Sequence, residues 1–347
     1  MDRPLEGLTV IEMAGLGPVP FACYLLAGLG AHVTRIEASG RDAVFLPLDP
    51  QTNPDVYRRD VRRLDLKTDD GRRQAMDLIA AADVLIEGFR PGVMERLGLS
   101  PGDTMPANPG LIYARMTGYG QNGPMAARAG HDLNYIALSG VLAMIGRKDA
   151  GPTPPLNLIG DYGGGSMVMI MGILAALFAR QTSGRGQIID AAMVEGSAML
   201  ATPIFSFMAS DLWQGEQRGA NLLDGGCPFY DTYETADGRH MAVAPLEPQF
   251  FAILIETLGL DEDWVGRQYD RSAWSELRDI LTATFRRKTR DEWAGIFADC
   301  DACVTPVLTP LEAPLHPHNA ARAGFRDVSG QQMPNIAPKF SDQPDDG

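Results

Sequence analysis

The chain predicts an α/β protein in which a large Rossmann-like parallel-sheet domain is followed by a smaller α+β domain. Three observations carry that reading. The first forty residues read as strand, glycine turn, helix and strand. Two later strand-like runs each end in a glycine-bearing turn. Near residue 226 the pattern changes to an alternating hairpin followed by amphipathic helices. A length of 347 residues suits two domains.

Taken in order, Leu8 to Glu12 is a short apolar run followed by Gly15-Leu16-Gly17-Pro18. An apolar stretch from Phe21 to Leu29 and a second strand-like run from His32 to Glu37 come next. A nucleotide-binding βαβ unit opens in this way. The dinucleotide fingerprint is incomplete, because Pro20 stands where its third glycine belongs and Pro18 removes a backbone donor inside the loop. A parallel sheet is therefore expected without NAD. Residues 42–56 hold three prolines and read as a loop. Ala80 to Glu87 reads as a helix end running into a strand, closed by Gly88-Phe89-Arg90-Pro91-Gly92. Leu111 to Arg115 reads as another strand, closed by Gly118-Tyr119-Gly120. Ligands of open α/β sheets bind beyond the carboxyl ends of strands, where both turns fall.

Met167 to Ala179 reads as a buried helix, shorter than the ~20 residues of a membrane span. Gln187 to Asp190 is a strand, and Ala191 to Met208 is helical. Its Met193, Met199 and Met208 suit either a core or a variable acyl chain. Pro228 to Thr235 alternates, Asp237-Gly238 is a hairpin turn, and His240 to Ala244 is the return strand. Helices are expected after Pro248, over 277–285 and over 291–297, with a last strand over 304–308. The expected layout is a large domain over 1–186, linker helices over 187–225, a small domain over 226–313, and a segment over 314–347 that returns to the first domain.

Composition removes several function classes. A formal charge of −14 argues against nucleic acid and against an anionic membrane surface as partner. The N-terminus has no apolar signal core, so a cytoplasmic protein is expected. Cys300 and Cys303 have the spacing of a zinc or redox pair. No second pair of ligands accompanies them, so reduced thiols and no metal are expected. A basic cluster of Arg58, Arg59, Arg62, Arg63 and Lys67, with Arg72 and Arg73 beyond, stands out in so acidic a chain. It reads equally as a phosphate clamp or as a solvated helix face interspersed with Asp60, Asp65, Asp69 and Asp70.

The chemistry concentrates between residues 128 and 166. His131 follows Gly130 and Asp161 follows Gly160, and glycine lets backbone approach a ligand or adopt angles other residues avoid. Asp161 precedes a glycine run and a helix, so it reads either as a helix cap or as an acid/base group. His131 reads either as a satisfied structural histidine or as its partner.

Gly130-His131-Asp132-Leu133-Asn134-Tyr135-Ile136-Ala137-Leu138-Ser139-Gly140 resembles the α-methylacyl-CoA racemases of the family III CoA-transferase superfamily. The similarity runs from Leu5 to about Leu311. It includes Leu64-Asp65-Leu66-Lys67, Phe89-Arg90-Pro91-Gly92, Asp190 to Gly196, Leu223 to Gly226 and Glu247-Pro248-Gln249-Phe250. The resemblance implies an interlocked homodimer whose active site is shared between subunits. It implies His131 and Asp161 as the acid/base pair, with Glu247 assisting from the other subunit. Leu64, Asp65, Leu66, Lys67, Arg90, Gly130, Asp132, Leu133, Asn134, Tyr135 and Tyr230 are the implied contacts to substrate and CoA. No separate cofactor is implied, because CoA belongs to the substrate. The sequence departs from the family in three places. Ala38 replaces an arginine that contacts CoA. The stretch before Leu64 is longer and leaves Arg58, Arg59, Arg62 and Arg63 as candidate substitutes. The chain also stops near the point where the family has a further helix.

Racemisation beside a thioester needs one group to remove a proton and another to return one to the opposite face. In one direction histidine is neutral and aspartate protonated. Water opposes that arrangement by about 2.6 pKa units, roughly 3.5 kcal/mol, and a dry site narrows the gap. The alternative within the superfamily is CoA transfer with Asp161 as nucleophile. His131 favours the racemase, because the transferases generally lack a histidine there. A non-catalytic acyl-CoA carrier would need none of His131, Asp161 and Glu247 together.

Overall fold

The computed structural model describes residues 3–39, 48, 49 and 51–341. Part of the loop expected over 42–56 lies outside these residues. The chain divides into two compact units. The first comprises the residues up to Val141, Pro155–Thr202, and those from His318 onward. The second comprises Leu142–Pro154 and Pro203–Pro317.

The first unit is built on six parallel strands: β1 (Thr9–Met13), β2 (His32–Ala38), β3 (Arg59–Leu64), β4 (Val84–Glu87), β5 (Ile112–Thr117) and β6 (Ile188–Ala192). Their order is β3-β2-β1-β4-β5-β6, so the strand sequence reverses direction between β1 and β4. That reversal opens a crevice at the carboxyl ends of β1 and β4, the place where doubly wound sheets bind ligands. The central strands are buried on both faces, β4 and β5 at every residue. One core packs the helix Pro18–Gly28 and the helix Val168–Ser183 against the sheet through Val19, Leu26, Val84, Ile86, Ile112, Ile173 and their neighbours. A second core on the unit's other hydrophobic cluster contains Ile11, Ile79, Leu85, Leu99 and Tyr113.

β3 was not legible in the sequence. Its Arg-Asp-Val-Arg-Arg-Leu pattern belongs to a sheet edge, where charge discourages further pairing. The arginine cluster is therefore an edge strand, and the solvated-helix reading fits only Arg72 and Arg73 on the helix Asp69–Ala80. The helix expected over 167–179 is longer and less buried than its composition suggested. Leu158–Met167 is a π-helix that runs directly into Val168–Ser183, giving 26 helical residues whose most apolar 18-residue stretch has a mean hydropathy of 1.7. Met169, Ile170, Ile173 and Ala176 lie in the core of the sheet unit, which marks a core helix. Met167, Met171, Leu174 and Phe178 form an opposite stripe, with Phe178 74 % exposed.

The second unit has an antiparallel sheet of β7 (Asp231–Glu234), β8 (His240–Val243) and β9 (Val304–Pro306). Gly238 turns the hairpin in the left-handed region, at φ 72°. The helices Pro248–Leu258, Trp274–Phe285 and Arg290–Phe297 cover the sheet over a core rich in aromatics, including Phe229, Phe251, Phe285, Trp293 and Phe297. Residues 142–154, expected within the first domain, group with this unit for an electrostatic reason. Arg147 pairs with Asp231 and donates to Thr232 Oγ1 at 3.0 Å, while Arg218 donates to the Ala143 carbonyl at 2.9 Å. The segment 187–225 is likewise divided. β6 and the helix Met193–Leu200 belong to the first unit, and Pro203 onward belongs to the second. After His318 the chain adds the hairpin of β10 (Phe325–Val328) and β11 (Gln331–Pro334) to the first unit. No local residue pattern announces this hairpin.

Candidate active site

Asp161 sits on the π-helix, and neither cap reading applies to it. Asn157 caps the π-helix and Met167 precedes the α-helix. π-Helical segments are rare and recur at functional sites. This one is permitted by its glycines. A Cβ on Gly164 would lie 2.6 Å from the Ser197 nitrogen, and one on Gly196 would lie 1.9 Å from the Gly164 carbonyl oxygen. The Gly163-Gly164-Gly165 run thus seats the π-helix directly on the helix Met193–Leu200. The Asp161 carboxyl faces the turn after β1, since a Cβ on Gly17 would stand 3.1 Å from its Oδ2. Gly17 has φ 69°, so only glycine suits both the angle and the space. Asp161 therefore stands at the switch point of the sheet.

His131 is the N-cap residue of the helix Asp132–Leu138, with extended backbone. Its N–H donates to Asn134 Oδ1 at 3.0 Å, so Asn134 holds the histidine's backbone. The imidazole is exposed and acts electrostatically on Asp161. Burial raises the Asp161 carboxyl above the usual carboxylate range. The Asn157 amide, which donates to Oδ2 at 3.0 Å, opposes that shift. The negative charge of Asp132 adds to it, and His131 lowers it. The Asp161 carboxyl thus holds its proton to higher pH than a free carboxyl does, the direction that two-base chemistry needs. Asn157 was missed by sequence reasoning. Its only signal was its place four residues ahead of Asp161, where helical spacing lets the two side chains meet.

Gly130 and Gly160 do a different job from the one expected. Neither has a positive φ. A Cβ on Gly130 would lie 2.7 Å from the Tyr119 hydroxyl, and one on Gly160 would lie 2.6 Å from Asp132 Oδ2. They permit close packing of protein on protein. Tyr135 is 7 % exposed, donates its hydroxyl to the Gly130 carbonyl, and stands edge-on to Tyr119 at 5.1 Å. Burial pushes its phenol up to about 12. Its hydroxyl is therefore committed to shaping the loop that carries His131. Asp132 is buried, and Leu133 and Asn134 are exposed.

The basic cluster is mostly consumed within the fold. The Arg59 side chain is fully buried and pairs with Glu12 at 3.1 Å. Arg62 pairs with Asp60 at 2.8 Å and Arg63 with Glu37 at 3.4 Å, while Arg72 and Arg73 pair with Asp69 and Asp70. Three of the four candidate substitutes for the family's missing arginine thus already have carboxylate partners. Lys67 stands exposed in the turn after β3, beside Asp65, Leu66 and the buried strand end Leu64. Arg90 is exposed in the turn after β4 and acts electrostatically on Tyr135. These groups share the carboxyl end of the sheet with Asp161.

A model of CoA-transferase family III matches residues 5–346. The chain belongs to this family. It is 46 % identical over 336 residues to the mouse alpha-methylacyl-CoA racemase, covering 96 % of this chain and 85 % of the mouse protein. It is 45 % identical over 339 residues to the human alpha-methylacyl-CoA racemase, covering 95 % and 86 %. A crystal structure of a CAIB/BAIF family protein from Brucella suis superposes with a TM-score of 0.82 at 26 % identity, covering 99 % of this chain and 94 % of that one. The parallel sheet is thus the family III sheet.

Two implied site residues of this family III chain lie in the second unit. Glu247 is the N-cap residue of the helix Pro248–Leu258. Its carbonyl accepts from the Phe250 and Phe251 N–H groups, while its side chain takes no part in the cap and is exposed. Tyr230 is half-buried against the aromatic core.

Proposed function

We propose that this chain is a racemase that interconverts (2R)- and (2S)-2-methylacyl-CoA thioesters. His131 and Asp161 act as the two bases of a 1,1-proton transfer. One removes the proton from the carbon beside the thioester, leaving an enolate, and the other returns a proton to the opposite face. CoA is part of the substrate. The observation that carries the reading is the half-buried Asp161 carboxyl at the switch point, raised above the free carboxyl range by burial, with the His131 imidazole acting on it. Backbone N–H groups around the glycine turns are the candidate donors for the enolate oxygen. Close identity to the mouse and human racemases supports the same conclusion.

The decisive test is incubation of one epimer of a 2-methylacyl-CoA in deuterated water without an acceptor acid. Epimerisation with deuterium appearing at C2 is expected. CoA transfer that waits for a free carboxylic acid, with no deuterium uptake, would establish the transferase reading.

The exposed stripe of Met167, Met171, Leu174 and Phe178 supports a homodimer, with a second copy of this chain as the occupant that covers it. In that assembly Glu247 of one copy assists the His131 of the other. Co-refolding inactive His131→Ala and Glu247→Ala chains should restore part of the activity. Heterodimers without activity would count against a shared site.

A further inference from the structure

The least explained group beside Asp161 is the carboxylate of Asp132. It is only 5 % exposed, yet among the described residues it forms no ion pair. Its Oδ2 accepts the backbone N–H of Asp161 at 2.7 Å, and its Oδ1 has no partner. Burying a charged group without full pairing costs stability, so its retention calls for a cause. Bonds of a π-helix run to the carbonyl five residues back, so its first N–H groups have no partner inside the helix. Asp132 takes the one belonging to Asp161. The approach is close enough that residue 160 must be glycine, since a Cβ there would lie 2.6 Å from Oδ2 and 2.9 Å from Cγ.

We propose that Asp132 is the positioning residue of the proton-transfer pair. Its carboxylate ties the backbone of Asp161 to the turn that carries His131, and it sets a fixed negative charge beside the Asp161 carboxyl. This inference rests on the racemase reading and deepens it. Asp132 follows His131 directly in the chain, so one side chain couples both bases. The titratable and charged groups around Asp161 are His131 and Asp132, with Tyr135 one turn on and Arg90 acting on Tyr135. Asp132 contributes to the rise of Asp161, second to burial among the raising causes. The carboxylate turns inward, so a substrate contact by Asp132, the role implied by resemblance, would run through its backbone.

The test compares Asp132→Asn and Asp132→Ala by deuterium uptake at C2, with kcat and KM measured separately across pH. Asparagine keeps an acceptor for the Asp161 N–H but removes the charge. Its acid limb of kcat/KM should move to lower pH than in the wild type, with a modest loss in kcat. Alanine removes both, and a loss in kcat on the order of 100-fold is expected from the misplaced base. The isosteric Asn variant carries the test if the Ala variant does not fold. An unmoved acid limb in Asp132→Asn overturns the proposal. So does a variant whose KM alone rises, which would make Asp132 a substrate contact. Wild-type protein that takes up no deuterium would instead defeat the racemase reading.

Discussion

The edge strand β3 and the corner between β1 and the π-helix both concentrate charge, and they treat it in opposite ways. On β3 and the helix after it, Arg59, Arg62, Arg63, Arg72 and Arg73 each meet a carboxylate. At the corner, Asp161 is answered by one neutral amide and Asp132 by one backbone N–H, and neither forms an ion pair among the described residues. Matched charge holds an edge strand in place. The Asp161 carboxyl, half-buried and beside the Asp132 charge, holds its proton more readily than a free one. The more conspicuous cluster in the sequence is therefore the structural one, and the sparser one is the one proposed to carry the chemistry.

The contrast can be broken by mutating each side. Asp161→Ala and His131→Ala should each lower deuterium exchange by roughly 10²- to 10⁴-fold, with circular dichroism unchanged. Either variant retaining most of its wild-type rate would remove that residue from the pair. Arg59→Met should do the reverse. It leaves Glu12 buried with one partner fewer and strips the donor bonds to the Tyr57 and Pro20 carbonyls. A loss of about 3 kcal/mol in urea unfolding is expected, with kcat of the folded protein near wild type. A kcat collapse without loss of stability would mean that the β3 edge also serves the reaction.

The difference also explains what could be read from the sequence. The sheet was legible because β1, β4 and β5 are largely apolar and lead into glycine-bearing turns, with β2 as the second strand of the opening βαβ unit, and His131 and Asp161 stood out because each follows a glycine within a recognisable motif. β3 was hidden because its stability comes from ion pairs with Glu12 and Glu37, which no local pattern encodes. The π-helix was hidden because it depends on the distant Gly196, whose missing Cβ lets Gly164 approach. The inward turn of the Asp132 side chain to Asp161 was hidden because a motif carries no sign of side-chain direction. The exposed stripe on the long helix was hidden because its residues are as apolar as the buried ones.

The smallest expected effect lies on the pH axis, and it sharpens the contrast without destroying anything. The Asp161 carboxyl is raised by burial, with Asp132 adding to the shift, so the folded protein holds its proton to higher pH than the unfolded chain does. Between those two values the native state binds more protons, and stability must fall as pH rises through the window. Above the window the ionised carboxylate is a standing cost of the fold. Asp161→Asn removes that cost while keeping an acceptor for the Asn157 amide. The variant should therefore be more stable than the wild type at neutral pH, and its advantage should shrink as pH falls and the wild-type carboxyl takes up its proton. Carboxyls remote from Asp161 cancel in the difference. The same proton sets the acid limb of the wild-type kcat/KM. Below it both members of the pair are protonated and no base remains, so the limb should lie above the value near 3.9 of a free carboxyl. Urea unfolding of both proteins across pH checks the first expectation, and a rate profile checks the second. A stability difference that does not change with pH would mean that Asp161 gains its proton no more readily in the folded protein, leaving the two-base pair without its acid.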